Sequence, residues 1–246
     1  MEWLYGRNVV RLALAPGARR RAERLAATAP GLKALEAALP DGLPVETVTA
    51  ARLDDLTGSR EHQGVALLVD PYAYAASDRL LGGDLIVALD EVTDPHNLGA
   101  VARSALAAGA AGLVVPKHRS AHVTPAAVKA SAGTLELLPV AQVTNLVAFL
   151  GRAKQAGFWV YGAAGDAATS YLDLDLSVRV VAVMGAEGRG LRPLVARTCD
   201  ALAAIPMEPP VESLNVSVAT ALLLYEARRQ RLAAAPAATG PARRRP

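Results

Sequence analysis

The sequence lacks the residues that disulfide-bonded and metal-binding domains depend on. Cys199 is the single cysteine among 246 residues, which excludes an internal disulfide, and no cysteines and histidines are grouped at metal-ligand spacing. We therefore expect a reducing compartment, no structural zinc and no metal at the functional site. No sequence neighbour of Cys199 would lower its pKa, so we expect a small buried hydrophobic residue rather than a nucleophile.

Long apolar runs are also missing. No stretch approaches the roughly 18 uninterrupted apolar residues of a membrane-spanning helix, although 52% of all residues are hydrophobic. The opening residues, MEWLYGRNVV, lack the basic and then apolar pattern of an export signal. These absences predict a cytoplasmic protein with no membrane partner, whose apolar residues fill globular cores.

Excess positive charge is confined to the end of the chain. The net charge is +3, but residues 228–246 hold six arginines and no acidic residue, so the rest of the chain is net negative. Any contact with nucleic acid within the body would have to come from local patches. The densest patch runs from Arg19 to Arg24, and it equally suits a solvated helix face.

The first 71 residues mix helical and strand-like runs, which predicts a small α/β domain. We expect its helices from Asn8, over Arg19–Ala27 and over Leu32–Leu39. The runs PVETVTA and QGVALLVDP are expected to be strands, and ARLDDLTGS between them a helix that stops at its glycine.

The remainder of the chain alternates strictly between apolar strands and helices from residue 85 to residue 232. Such alternation predicts an α/β domain with a parallel sheet that is covered on both faces. Residues 72–84, which end in Gly-Gly-Asp, are expected to form a linker. Residues 233–246 have no hydrophobic period and predict a disordered basic tail.

Three polar or glycine-rich stretches follow strands of this alternation. They are DEVTDPHNLGAVARSA (90–105), VMGAEGRGLR (183–192) and IPMEPPVESLNVSVATALLLYE (205–226). Because ligands of open α/β sheets bind beyond the carboxyl ends of strands, the three loops can form one pocket. The glycines of GAEGRG allow close approach of backbone to a ligand. This spacing is not the dinucleotide fingerprint GxGxxG, which disfavours a nucleotide-dependent oxidoreductase.

Together and in this order, the three stretches resemble the signature motifs of the SPOUT RNA methyltransferases, in their TrmH-like 2′-O-ribose branch. The resemblance covers residues 85–231 and, more loosely, the first 70 residues. It implies a parallel-sheet domain with a deep trefoil knot, preceded by a small L30e-like α/β domain that binds RNA. It also implies S-adenosylmethionine as the cofactor and a homodimer with the last helix in its interface.

The substrate implied by the resemblance is RNA, and within the branch the sequence is most similar to bacterial enzymes that methylate a guanosine of 23S rRNA. A tRNA 2′-O-methyltransferase is an alternative, which the N-terminal domain disfavours. A non-catalytic RNA-binding or ribosome-assembly protein with the same fold is another, which the complete set of motif residues disfavours.

The resemblance assigns roles to individual residues. The implied catalytic residues are Asn97, Arg103, Glu187, Ser213 and Asn215. The implied cofactor-binding residues are Gly185, Glu187, Ile205, Met207, Leu214 and Asn215. The expected RNA-binding residues are Arg7, Arg19, Arg20, Arg21 and Arg24.

Several of these residues have simpler explanations. Arg103 corresponds to a proposed proton acceptor of the family, but a guanidinium with a pKa above about 12 is a poor base. We expect Arg103 instead to clamp the target phosphate and to stabilise charge on the 2′-oxygen. Asn97 and Asn215 lie where helices are expected to begin, so helix capping alone would explain either. The neighbouring Pro95 favours a structural role for His96 over a role as a base.

One stretch departs from the family pattern. Residues 208–212, EPPVE, stand where relatives usually have a small segment that contains glycine. Two prolines remove two N–H donors and fix φ. Contacts that backbone amides of this segment make to the cofactor in relatives are therefore in doubt here.

Overall fold

The computed structural model describes residues 1–234 and builds them around two sheets. The first lies in the N-terminal part of the chain, and its strands run in the order β1-β4-β2-β3. These strands are β1 (Glu2–Tyr5), β2 (Ala22–Ala27), β3 (Val45–Thr47) and β4 (Val65–Val69). Three helices accompany them, namely α1 (Arg7–Ala13), α2 (Ala29–Leu35) and α3 (Ala50–Thr57). Gly58 ends α3 in the left-handed conformation, as its sequence predicts.

The helix predicted over Arg19–Ala27 is wrong, because residues 22–27 form β2. This strand lies inside the sheet, antiparallel to β4 and parallel to β3. Leu25, Ala26 and Ala27 are fully buried there. Arginine and alanine favour helices locally, but pairing with two neighbouring strands and burial of the apolar residues outweigh that preference.

The second sheet has seven strands in the order β7-β6-β5-β10-β8-β11-β9, and all its strand pairs are parallel. Its strands are β5 (Leu85–Asp90), β6 (Gly112–Pro116), β7 (Val140–Val143), β8 (Trp159–Ala163), β9 (Thr169–Ser170), β10 (Val180–Gly185) and β11 (Ala201–Ala204). The predicted α/β class with a parallel sheet is therefore confirmed. Chain order reverses where β5 pairs with β10, and in such sheets ligands bind at the point of reversal.

Helices cover both faces of this sheet. They are α4 (Ser77–Leu80), α5 (Pro95–Ala108), α6 (Pro125–Ala130), α7 (Leu146–Gln155), α8 (Pro193–Thr198) and α9 (Val216–Ala234). Thr124 caps α6 and Asn145 caps α7, each accepting a backbone N–H with its side chain. The one-turn helix α4 lies within the predicted linker. The predicted tail lies outside the described residues except for its first two, which end α9.

The helix α5 begins at Pro95, three residues before Leu98, where the sequence pattern predicts its start. Asp94 is its N-cap, since the carboxylate accepts the N–H of His96, and Pro95 takes the first helical position. Capping therefore does not account for Asn97, which lies in the first turn. Gly99 lets α5 approach α6, because a Cβ there would lie 2.4 Å from the carbonyl oxygen of Ala127.

The two sheets are joined by a buried ion-pair cluster. Arg20, which is 4% exposed, donates its Nε to both carboxylate oxygens of Glu136 at 3.1 and 3.0 Å. Its Nη1 lies 2.7 Å from the carboxylate of Glu2. Burial alone would lower the pKa of Arg20, but the contacts with Glu136 and Glu2 outweigh it and raise the pKa. The predicted RNA contact of Arg20 is therefore wrong, because the guanidinium is enclosed between the N-terminal sheet and the turn that carries Glu136.

Candidate active site

The loops that follow β5, β10 and β11 meet at the carboxyl edge of the parallel sheet. The first turn of α5 supplies Asn97, the glycine loop after β10 supplies Glu187, and the segment before α9 supplies Asn215. Register pairs Gly185 with Asp90 at the ends of β10 and β5, so the first two loops leave the sheet side by side. The sequence places these three residues 90 and 28 positions apart, and the fold brings them into contact.

A hydrogen-bonded cluster forms where the three loops meet. Glu187 Oε1 accepts from Asn97 Nδ2 at 3.1 Å and from Asn215 Nδ2 at 2.5 Å. Asn215 Nδ2 also reaches Asn97 Oδ1 at 2.9 Å, and the backbone N–H of Val216 reaches Glu187 Oε1 at 3.4 Å. One carboxylate oxygen thus holds the ends of α5 and α9 together, and the amides present polar groups suited to a ribose or phosphate.

Asn215 also begins α9 as the capping hypothesis predicts. Its Oδ1 accepts the N–H of Ser217 at 2.9 Å and the hydroxyl of Ser217 at 2.6 Å. The opposite end of the same amide reaches Glu187 and Asn97. Asn215 therefore caps α9 and belongs to the cluster at the same time, because its amide oxygen forms the cap and its amide nitrogen donates to the cluster.

A cavity of about 220 Å³ opens beside the cluster. Among the predicted cofactor-binding residues, those that line it are Gly185, Glu187, Ile205, Met207 and Leu214. Ser213 lines the cavity as well. Asn215 does not line it, but donates a hydrogen bond to Glu187, which does. Apolar side chains and backbone form most of the wall. The donor set therefore fits an organic cofactor that is held mainly by main-chain groups.

The shape of this cavity depends on the glycine loop. Residues Ala186 and Gly190 exchange two backbone hydrogen bonds, at 3.1 and 2.8 Å, and so close the loop. A Cβ on Gly185 would lie 2.2 Å from the carbonyl carbon of Gly190. This distance is too short for any side chain, so the position requires glycine. Gly188 and Gly190 have φ of 73° and 64°, the left-handed region that favours glycine.

Asp90 anchors the far end of the glycine loop. This carboxylate is fully buried and accepts the backbone N–H of Arg192 at 2.8 Å and its Nε at 2.7 Å. A buried charge needs such a partner, so the pair fixes the loop to the end of β5. Sequence reasoning placed Asp90 in a motif but gave it no role; its position directly after an apolar strand was the available signal.

Sequence reasoning also missed part of the cavity wall. Ala163 at the end of β8 and the next two residues, Ala164 and Gly165, line the cavity together with Glu212 and Ala219. The small residues after an apolar strand were the signal for the first three. Glu212 belongs to the atypical EPPVE segment, so this segment does border the candidate cofactor site.

Arg103 and His96 lie outside the cluster. Both are exposed on α5, and Arg103 follows Asn97 by six residues, so their side chains leave the helix about 120° apart. Arg103 could therefore approach a bound RNA from the solvent side rather than the cavity. Cys199 is partly buried and burial raises the pKa of its thiol to about 11, so it stays protonated at neutral pH.

The remaining arginines of the RNA-binding prediction lie on the N-terminal sheet and α1. Arg7, Arg21 and Arg24 are exposed, and the guanidinium of Arg24 lies over the ring of Trp3, 5.4 Å from the ring centroid. Arg19 is half-buried and donates to the carbonyl oxygen of Ala73 at 3.1 Å. Arg7 donates its Nε to the carbonyl oxygen of Gln63 at 3.2 Å, and Arg21 pairs with Glu23 and Asp70. These three arginines are thus open to solvent, but Arg7 and Arg21 also have partners within the protein, as Arg19 does.

Two absences are found among the described residues. Within residues 1–234, no group of three or more His, Cys, Asp or Glu side chains is arranged to hold a metal ion. None of the helices in the same range combines the length and the apolar character that a membrane crossing requires.

Comparison with known proteins agrees with this architecture. Residues 84–225 match the SpoU rRNA Methylase family, and residues 3–75 match the family of RNA 2′-O ribose methyltransferase substrate-binding domains. A 23S rRNA (guanosine-2′-O-)-methyltransferase of Xanthomonas campestris is 45% identical over 206 residues, which cover 81% of this chain and 83% of that protein. An uncharacterized tRNA/rRNA methyltransferase of Mycobacterium ulcerans is 44% identical over 79% of this chain, which spans 64% of that longer relative.

Among solved structures, the SpoU methyltransferase AviRb of Streptomyces viridochromogenes in complex with the cofactor AdoMet is similar over most of its length. The TM-score is 0.79 at 27% sequence identity, covering 94% of this chain and 90% of AviRb. The similarity extends over both sheets, and the matching family covers more than half of the chain. The resemblance that the three motifs carry is thus confirmed, and the chain belongs to the SpoU rRNA methylase family of TrmH-like RNA methyltransferases.

Proposed function

We propose that this protein transfers a methyl group from S-adenosylmethionine to the ribose 2′-hydroxyl of a guanosine in 23S rRNA. The observation that carries the proposal is the cluster of Asn97, Glu187 and Asn215 at the rim of the glycine-loop cavity. The family membership and the name of the Xanthomonas relative support the same chemistry and substrate. A ribosomal RNA substrate also agrees with the predicted cytoplasmic location.

S-adenosylmethionine, when bound, supplies a methyl group on a positively charged sulfur. Transfer would form a bond from this carbon to the 2′-oxygen while the carbon–sulfur bond breaks with its electron pair left on sulfur, and the hydroxyl proton would pass to solvent water. Because the donor is already activated, the chain must mainly hold the two reactants in line and exclude other geometries. Gly185, Ile205, Met207 and Leu214 are proposed to hold the cofactor, and Asn97, Ser213 and Asn215 to orient the ribose.

Arg103 is proposed to complete the site from the RNA side. Its exposed guanidinium is suited to clamp a phosphate and to stabilise negative charge on the 2′-oxygen as the proton leaves. Glu187 is proposed to fix both asparagine amides rather than to act on the substrate directly. This follows from the donors that its Oε1 already accepts.

The division of labour between the two parts of the chain is also a proposal. Residues 1–71 would form the L30e-like domain that binds RNA through Arg7, Arg21 and Arg24, with residues 72–84 as linker and residues 85–232 as the methyltransferase domain. The proposed knot is supported by the return of the segment after β11 to the glycine loop, where Asn215 contacts Glu187, and by the packing of α9 on α5.

We further propose a homodimer with α9 in its interface. Val218, Leu222 and Tyr225 are 47%, 39% and 52% exposed on one side of this helix, where they line a shallow hollow together with Tyr171. An apolar face of this kind is suited to burial against a second subunit. Light scattering is expected to give twice the mass of the chain, and a stable, active monomer would contradict the proposal.

A methyl-transfer assay tests the function directly. Wild-type protein is incubated with tritiated S-adenosylmethionine and, separately, unmodified 23S rRNA and tRNA. We expect label in 23S rRNA only, at one linkage that resists alkali, because a 2′-O-methyl group removes the attacking hydroxyl. Label in tRNA alone would retain the chemistry and change the substrate. If neither RNA were labelled, the non-catalytic RNA-binding alternative would be favoured.

A further inference from the structure

A second hollow opens at the carboxyl edge of the parallel sheet, on the side of β5, β6 and β7. Its volume is about 500 Å³, within the range of ligand sites in proteins. We name it the arginine cleft. The residues that define it are Glu91, His118, Arg119, Asn145, Arg192 and Leu194.

The arginine cleft shares a wall with the candidate active site. Glu187 lies in the glycine loop on the cavity side, and Arg192 lies at the end of the same loop and lines the cleft. The hydrogen bonds from Arg192 to the buried Asp90 fix this wall. The backbone N–H of Ala121 donates to the carbonyl oxygen of Val92 at 2.8 Å, which ties the loop after β6 to the loop after β5. The cleft and the cavity therefore share the glycine loop, and a strand of RNA that crosses this loop from the cluster would meet the cleft.

Backbone strain is concentrated at the cleft. Glu91 and Arg119 have φ of 59° and 56°, in the left-handed region that costs most side chains energy. Only two other non-glycine residues within 1–234, Gln63 and Ala132, share this property. Strain of this kind persists mainly at functional sites. The ion pair of Arg119 with Glu91, 3.7 Å long with the arginine side chain 82% exposed, is too weak to be its reason.

The charges of the cleft suit a base better than a phosphate. Arg119 and Arg192 face the carboxylates of Glu91 and Asp90, so positive and negative charges balance. A phosphate would meet repulsion from Glu91, whereas the edge of a base carries both donors and acceptors. A base could therefore bond to the carboxylate and the guanidinium together.

The walls supply the remaining contacts that a base needs. Leu194 is 56% exposed and offers an apolar surface for one ring face. The planar guanidinium of Arg119 is suited to stack on a base, as arginine does in single-stranded RNA recognition. The Oδ1 of Asn145 accepts the N–H of Ala148 at 3.1 Å, so its NH₂ group is the part that can donate to a ligand.

We propose that the arginine cleft binds one unstacked base of the RNA strand beside the nucleotide that is methylated. This inference rests on the proposed function, because it takes RNA as the ligand and the cluster as the site of the target ribose. It adds a specificity site in the methyltransferase domain to the arginines of the N-terminal domain.

Arg119→Ala tests the inference in the full-length protein, and Arg152→Ala is the matched control. Each substitution removes an exposed arginine that makes a surface ion pair, with Glu91 and with Asp78 respectively. Arg152 also donates to Ser77 Oγ at 3.2 Å, and it does not line the cleft. The probe is unmodified 23S rRNA made by transcription. We expect Arg119→Ala to raise the Kd for this RNA about tenfold. The control, and the Kd of both variants for S-adenosylmethionine, should match wild type.

Salt dependence separates a base contact from a phosphate contact. If Arg119 binds a base, the slope of log Kd against log salt stays as in wild type. A decrease of the slope by about 0.7 would assign Arg119 to one phosphate and overturn the inference. An unchanged Kd would also overturn it, and methyl transfer by both proteins would then leave the proposed function intact. If the wild-type protein bound the RNA but transferred no methyl group, the proposed function would be refuted. The Kd of Arg119→Ala compared with wild type would still test the cleft.

Discussion

Arg103→Ala is expected to lower kcat for methyl transfer to 23S rRNA by about 10²- to 10³-fold and to leave the Kd for S-adenosylmethionine unchanged. Arg103 is exposed on α5 and lines no part of the cavity, so its loss leaves the cofactor walls intact. Besides the phosphate, its proposed contact is with charge that develops only as the 2′-hydroxyl loses its proton, and a contact of this second kind appears in kcat. Single-turnover methyl transfer and calorimetric titration of the cofactor measure the two quantities.

Arg103→Lys separates the two roles that a cation can play at this position. Lysine keeps the charge but loses the planar fork that contacts two oxygens together. We expect Arg103→Lys to retain no more than about a tenth of wild-type turnover. Near-normal turnover would show that a point charge suffices and would refute the clamp. Arg152→Ala serves again as the control for loss of an exposed arginine elsewhere.

Gly185→Ala is expected to weaken binding of S-adenosylmethionine by more than about 100-fold and to abolish detectable methyl transfer. The new Cβ would lie 2.2 Å from the carbonyl carbon of Gly190 and 2.5 Å from the backbone nitrogen of Leu191. Backbone atoms cannot step aside as a flexible side chain can, so the glycine loop must open. Glu187 would then move away from Asn97 and Asn215, and cofactor wall and catalytic cluster would be lost together.

Titration calorimetry with S-adenosylmethionine measures this loss, and circular dichroism shows whether the variant still folds. Gly151→Ala is the control, because a Cβ at this position of α7 meets no atom within 4 Å. Alanine in a helix with space around it stabilises by roughly 0.5–1 kcal/mol relative to glycine, so this variant should bind as wild type. Wild-type cofactor affinity in Gly185→Ala would mean that the glycine loop does not form the cofactor wall.

The N-terminal part shows where local sequence is a poor guide. Arg19 to Arg24 have the composition of a solvated helix, yet residues 22–27 are an internal strand and Arg20 is buried against Glu136. No residue near Arg20 in the sequence indicates that its partner is Glu136, 116 residues away. Desolvation offsets much of the attraction between a buried arginine and two carboxylates. The cluster therefore determines how the two parts dock more than it adds to stability.

The sequence by itself determined the fold class of the C-terminal part and the identity of its three loops. Apolar strands that alternate with helices admit few arrangements other than a covered parallel sheet, and strand ends are where such sheets bind ligands. Motif order and spacing then identified the family, including the five residues proposed for catalysis. The cap of α9 by Asn215 was likewise predictable from the sequence, because a cap is a local interaction between neighbours in the chain.

Only the tertiary structure decided which of these residues touch one another. It joined Asn97, Glu187 and Asn215 through one carboxylate oxygen, left Arg103 on the solvent side, and enclosed Arg20. It also placed Glu91 and Arg192, which belong to two different motifs, around one cleft with Arg119, which belongs to none. The physical reason is that contacts across tens of residues depend on strand order and on which backbones can approach closely, and neither is encoded in a local pattern.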